Sequence, residues 1–171
     1  MKALGIVMVF VSCSMCGFII DWNENKRIKE LEKFIYAFEL LKAEIDYRLT
    51  PLQEACLYVA SLSKAGIRSV FEKFVEALES KVCIDLNEMW QSALESNKLH
   101  FHLKQQDYDL LLTFSNACGY LDKNMQKKNI DMLIQKLQEE LLLSKSKYQR
   151  NTKLNKYLGI LIGACISIFL F

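Results

Sequence analysis

Three groups of side chains have types and spacings that suggest chemistry. Cys13 and Cys16 are three positions apart, so on a helix both thiols face one side. Such a pair serves redox exchange or metal binding when a base or further ligands stand beside it. No His, Asp or base accompanies these two. With Gly17 and Ser12 they form small-residue pairs four apart, which read as a helix-packing face. The two histidines, His100 and His102, flank Phe101. No carboxylate or thiol stands nearby at metal-ligand spacing, so they read as solvent-facing loop histidines. The third group is the carboxylates Glu39, Glu44 and Asp46. General acid–base work would need one of them buried in a pocket. On a charged helix they read as a solvated face, and an enzymatic site, if built at all, centres on Glu44. Phosphate loops, dinucleotide fingerprints, nucleophile elbows and zinc-protease helices are all missing from the sequence. The expectation is no catalytic residue, cofactor, metal or small-molecule substrate.

The six cysteines are scattered. Cys13, Cys16 and Cys165 lie in apolar ends, and Cys56, Cys83 and Cys118 are widely spaced in the middle. That pattern argues against a disulfide framework and suits a reducing compartment for the middle of the chain. With 51% hydrophobic and 25% charged residues, the 171-residue chain can build a real core. Six glycines and one proline are too few turn-formers for an all-β domain of this size. A net charge of +2 gives no nucleic-acid signature.

The elements that would position these groups are helices. Ala3 to Ile20 is uncharged and apolar, roughly 27 Å long as a helix, close to a hydrocarbon core. It ends in Phe18-Ile19-Ile20, not in an A-x-A-like site, and stays apolar past Cys13. An anchor is therefore favoured over a cleaved signal or a lipoprotein signal. At the other end, Tyr157 to Phe171 is apolar, roughly 22 Å as a helix, short unless Lys153 and Lys156 snorkel. Gly159, Gly163 and Ser167 recur there every four residues as a packing stripe. Lys26, Arg27, Lys29 and Lys33 follow the first segment; Lys145, Lys147, Arg150, Lys153 and Lys156 precede the second. Positive charge beside spans marks the cytoplasmic side. The expected organisation is a transmembrane anchor at 1–21, a cytoplasmic bundle at 22–155 and a second transmembrane segment at 156–171, with both termini on the far side.

Within the middle, Ile28, Leu31, Ile35, Phe38, Leu41 and Ile45 recur at helical spacing. Thr50-Pro51-Leu52-Gln53 reads as a capped helix start and Gly66 as a stop. Val70 to Leu78 marks a third helix. Asp85 caps a fourth with Met89, Trp90, Ala93 and Leu94 inward. Residues 96–105 read as a connection. A fifth helix carries Tyr108, Leu111 and Phe114, and Asp122 caps a sixth with Ile130, Leu133, Leu137 and Leu141 on one face. The fold class expected is all-α: an antiparallel bundle of about six helices.

Glu44-Ile45-Asp46-Tyr47, then Thr50-Pro51-Leu52-Gln53-Glu54-Ala55, resembles the signature of the stage III sporulation protein AB family. Phe114, Gly119, Asp122, Gln126 and Ile130 fit the same pattern, as does the tail Tyr157 to Gly163. Cys118 stands where that family usually carries Leu before the glycine. The resemblance implies a structural or partner-contacting role for Glu44, Tyr47, Thr50, Pro51, Leu52, Glu54, Ala55, Phe114, Gly119, Asp122 and Gln126. It also implies a scaffold in the channel between mother cell and forespore, held in the mother-cell membrane. The implied partners are the stage III sporulation AA ATPase and other stage III channel proteins. The bundle would be similar to the cytoplasmic domain of a type II secretion platform.

Overall fold

The computed structural model describes the backbone of residues 2–80, 85–118 and 123–170, and the side chains of residues 19, 21–80, 85–115 and 125–151. Six α-helices and one 3₁₀ turn lie among the described residues: α1 (Lys2–Tyr47), α2 (Leu52–Leu62), α3 (Ala65–Ser80), α4 (Leu86–Ser96), the turn Lys98–His100, α5 (Gln105–Cys118) and α6 (Lys123–Leu170). No strand occurs among them. The chain divides into two units. One comprises Lys29–Leu141; the other comprises Met1–Ile28 with Leu142–Phe171. Both α1 and α6 contribute to each unit. Neither is broken, because their 46 and 48 residues contain no proline and their glycines stand singly.

The unit of Lys29–Leu141 is a helical bundle around an aromatic core. The α1 stripe buries Leu31, Phe34, Phe38 and Leu41 completely, as its three-to-four spacing requires. Trp90 of α4 sits at the centre. Its ring lies 4.7 Å from Phe114, 5.2 Å from Phe74, 5.5 Å from Phe71 and 6.2 Å from Phe38, all edge-on. Edge-to-face pairs of this kind add about 0.5–1.5 kcal/mol each beyond their burial. The indole Nε1–H is satisfied by the Leu111 carbonyl at 2.8 Å, so the largest core side chain leaves no orphan donor. From α6, Ile130, Leu133, Ile134 and Leu137 close the core, with Leu141 packed at its edge.

Above that apolar seam α1 and α6 run antiparallel, held by polar pairs. Gln138 donates to Glu39 (3.3 Å), Lys42 pairs with Asp131, and Lys127 meets Asp46 at 3.0 Å. The hydrogen bond that it donates to Asp131 holds the Lys42 ammonium above its usual range.

Several helix ends differ from the sequence expectation. Pro51 is the N-cap of α2, Thr50 does not cap it, and Gln53 donates to Glu79 of α3 at 2.9 Å rather than closing a capping box. The Thr50 hydroxyl is drawn instead to Glu44. Gly66 does not stop α2; it lies in the first turn of α3. A Cβ there would come within 3.0 Å of the Phe101 ring, so a close approach explains the glycine. The α2 end is closed by Arg68, whose Nε donates to Ala60 O and Nη2 to Ser61 O. Asp85 does cap α4, accepting from Asn87 N–H at 3.0 Å. The connection at 96–105 holds the 3₁₀ turn, and Asp107, wholly buried, accepts from Lys104 N–H at the start of α5.

In the second unit, buried Arg27 donates to Ser144 at 2.8 Å and lies 3.6 Å from Glu24. Exposed Trp22 carries the Lys26 amine over its ring. Among the described residues no helix is long and apolar enough to cross a membrane. The side chains of the expected anchors, apart from Ile19 and Asp21, lie outside the described residues. So do those of Gly17, Gly159, Gly163 and Ser167.

Candidate functional site

The two stretches of the sequence motif meet at one end of the bundle. Asp46, at the end of α1, pairs with Lys127 near the start of α6, and Gln126 is the next residue on that turn. This juxtaposition is the candidate site. Gly119 and Asp122 lie outside the described residues.

Its organising side chain is Glu44. The solvated-face reading does not hold for this residue, which is only 7% exposed. Arg48 Nη1 lies 3.3 Å and 3.5 Å from its two oxygens, and the Thr50 hydroxyl donates to Oε2 at 3.4 Å. Thr50 N–H also donates to the Glu44 carbonyl at 3.3 Å. The cause is Leu49, at φ 54, in the left-handed region that leucine rarely adopts. That conformation turns the chain back so that Thr50 covers the carboxylate. Glu44 is therefore the clamp of the α1–α2 turn. Glu39 is exposed, as expected, and Asp46 is half-buried.

The remaining motif residues divide by role. Ala55 and Phe114 are wholly buried, and Leu52 packs against the core. Tyr47 is 87% exposed, and Pro51 and Glu54 are also exposed. Tyr47 borders an open groove of about 390 Å³ along α1 and α6, with Glu39, Lys42, Asp131 and Gln138 on its walls. Glu44 does not line it. On its walls Lys42 is already paired with Asp131 and Glu39 accepts from Gln138, which suits protein contact better than capture of a small charged ligand.

Sequence reading missed two polar features of the bundle. His102 is exposed but tied down: its N–H donates to Glu30 Oε2 at 2.6 Å and its Nδ1 lies 3.0 Å from Oε1. His100 remains exposed in the 3₁₀ turn. Tyr108 donates to the Lys98 carbonyl, and burial, with Glu30 and Asp107 nearby, pushes its hydroxyl up to about 12. Helical spacing flags the Tyr108 ring but not its hydroxyl partner, and nothing local flags Glu30. Among the described residues, no three His, Cys, Asp or Glu side chains gather as a metal site. Cys56 is wholly buried in α2, and burial pushes its thiol up, leaving it a packing group.

Comparison with known proteins converges on one family. The family model of Stage III sporulation protein AB matches residues 2–171. Stage III sporulation protein AB of Bacillus subtilis (strain 168) is 26% identical over 170 residues, covering 99% of each chain. A solved structure of a Stage III sporulation protein AB superposes with a TM-score of 0.65. It is 23% identical and covers 72% of this chain and 96% of that one, which shows a shared fold. This chain belongs to the Stage III sporulation protein AB family.

Proposed function

We propose that this chain is a non-enzymatic membrane scaffold of the mother cell–forespore channel, docking the stage III sporulation AA ATPase as a secretion platform protein does. Two anchors would hold the bundle in the mother-cell membrane around the forespore, its bulk in the cytoplasm and both termini across the membrane. Other stage III channel proteins would meet it there. The observation that carries this reading is the continuity of α1 and α6, each unbroken from bundle residues into an apolar end of the sequence. The basic residues between bundle and ends support the orientation. The full-length family match supports the sporulation context.

The Glu44 geometry favours a scaffold over an enzyme. Its carboxylate is enclosed by Arg48 and Thr50 and does not line the groove. A general base must reach a substrate proton.

Full-length protein in lipid nanodiscs, mixed with purified AA ATPase, tests the docking. Co-sedimentation that saturates with ATPase concentration is expected. Absence of binding, to the full-length protein and to the isolated 22–155 segment alike, removes the coupling role. Deletion of the gene in a spore-former should arrest development after engulfment; normal spore yield would refute the channel role.

A further inference from the structure

Helix α2 is built inside out by size. Its inward positions are the small or medium residues Ala55, Cys56, Val59 and Ala60. Its larger apolar side chains point outward: Leu57 is 45% exposed, Tyr58 36% and Leu62 51%. With Glu54 and Ser61 they recur three and four apart, so they form one continuous helix face. That face has unlike ends. Glu54 and Glu79 mark its start, the latter held there by Gln53. Lys64 and Arg68 mark its finish, Arg68 being fixed by the Ala60 and Ser61 carbonyls. Neither Glu54 nor Lys64 has an ion-pair partner among the described residues.

A face that is acidic at one end, apolar in the middle and basic at the other complements itself. Laid antiparallel across a two-fold axis, two copies set each Glu54 against the other copy's Lys64 end. The axis passes beside Tyr58, so each Glu54 lies over the other copy's Leu62, within reach of the Lys64 side chain that follows it. Leu57, Tyr58 and Leu62 of both copies then close over one another. We propose that α2 is the pairing face of a homodimer. Three apolar side chains per copy are fewer than a standard interface uses, so the dimer is weak in dilute solution. Confinement to a bilayer raises the effective concentration that such a contact needs. The pairing stands independently of ATPase docking.

The test is energy transfer between donor- and acceptor-labelled full-length chains in lipid vesicles, read across protein-to-lipid ratios. Wild type should self-associate. Leu57→Glu with Leu62→Glu should weaken pairing by at least about tenfold, since two apolar contacts become buried charges. Lys64→Glu alone should weaken it about fivefold by setting carboxylates face to face in both halves. Adding Glu54→Lys to Lys64→Glu should restore pairing, which a merely structural role would not do. Within one copy those two residues sit at opposite ends of α2. If the Leu double variant loses helicity by circular dichroism, the charge exchange decides alone. A monomeric wild type, wild-type pairing in the folded Leu variant, or no recovery in the double swap would overturn the proposal. So would a Leu variant that pairs normally yet loses the AA ATPase, which would assign the face to another protein.

Discussion

Replacing Glu44 by Gln separates a structural clamp from a catalytic carboxylate. The amide keeps the volume and still accepts from Thr50, so only the charge is removed. What is lost can be sized from the contacts. Arg48 is 64% exposed, and a pair of that exposure contributes about 0.2–1 kcal/mol. The Thr50 hydrogen bond is long at 3.4 Å, so its weakening adds at most about 0.5 kcal/mol. The total is about 1 kcal/mol, a melting shift of about 3–5 °C for a bundle of this size. Thermal melts by circular dichroism on the purified chain measure that directly. Heat-resistant spore counts from a strain carrying Glu44→Gln measure function, and should stay within about threefold of wild type. A general base replaced by an amide would lose about a hundredfold or more in turnover. Unchanged stability with spore counts down a hundredfold would refute the clamp and restore the enzymatic reading.

Three further expectations follow from the bundle. Trp90→Ala should cost about 3–5 kcal/mol, since it opens a cavity among four aromatic rings and strips the Leu111 carbonyl of its indole donor. An unfolding free energy from denaturant titration within about 0.5 kcal/mol of wild type would show that Trp90 is not the centre of the core. Gly66→Ala should destabilise by about 1 kcal/mol despite alanine's better helix propensity, because the new methyl presses on Phe101; a stabilised variant would show that the ring yields. Alkaline pH should loosen the bundle. Tyr108 and Lys42 both bind their protons more tightly when folded, so their contributions are present below their unfolded values and lost as pH rises, for Tyr108 towards about 12. Tyr108→Phe should flatten that decline in a pH series of melts, and an unchanged slope would contradict the assignment.

What the sequence made legible was local. Helical spacing alone placed the Phe38 and Trp90 faces inward, and Asp85 was readable as a cap because its partner is two residues away. The α1–α2 turn was misread because it depends on leucine in a conformation that leucine disfavours. With Leu49 at positive φ, Thr50 folds over Glu44, leaving neither a capping threonine nor a solvated carboxylate. Gly66 invited a helix-stop reading because its real neighbour, Phe101, comes from a distant connection. The tie between Glu30 and His102 spans 72 residues, and no periodicity encodes a pairing of that range. The same holds for the polar pairs that join α1 to α6. Pattern reveals which face is inward; it does not reveal which polar groups meet across helices.

The proposed function rests on a cytoplasm-facing bundle tethered at both ends by membrane helices. Single cysteines at Lys29 and Lys147, in full-length protein lacking its native thiols, test it in intact vegetative cells expressing the chain, whose membrane faces the medium, with a membrane-impermeant maleimide. The account predicts protection of both positions until the cells are opened, with the chain retained in carbonate-washed membranes. Labelling of either position in intact cells, or recovery of the whole chain in the carbonate supernatant, would contradict it.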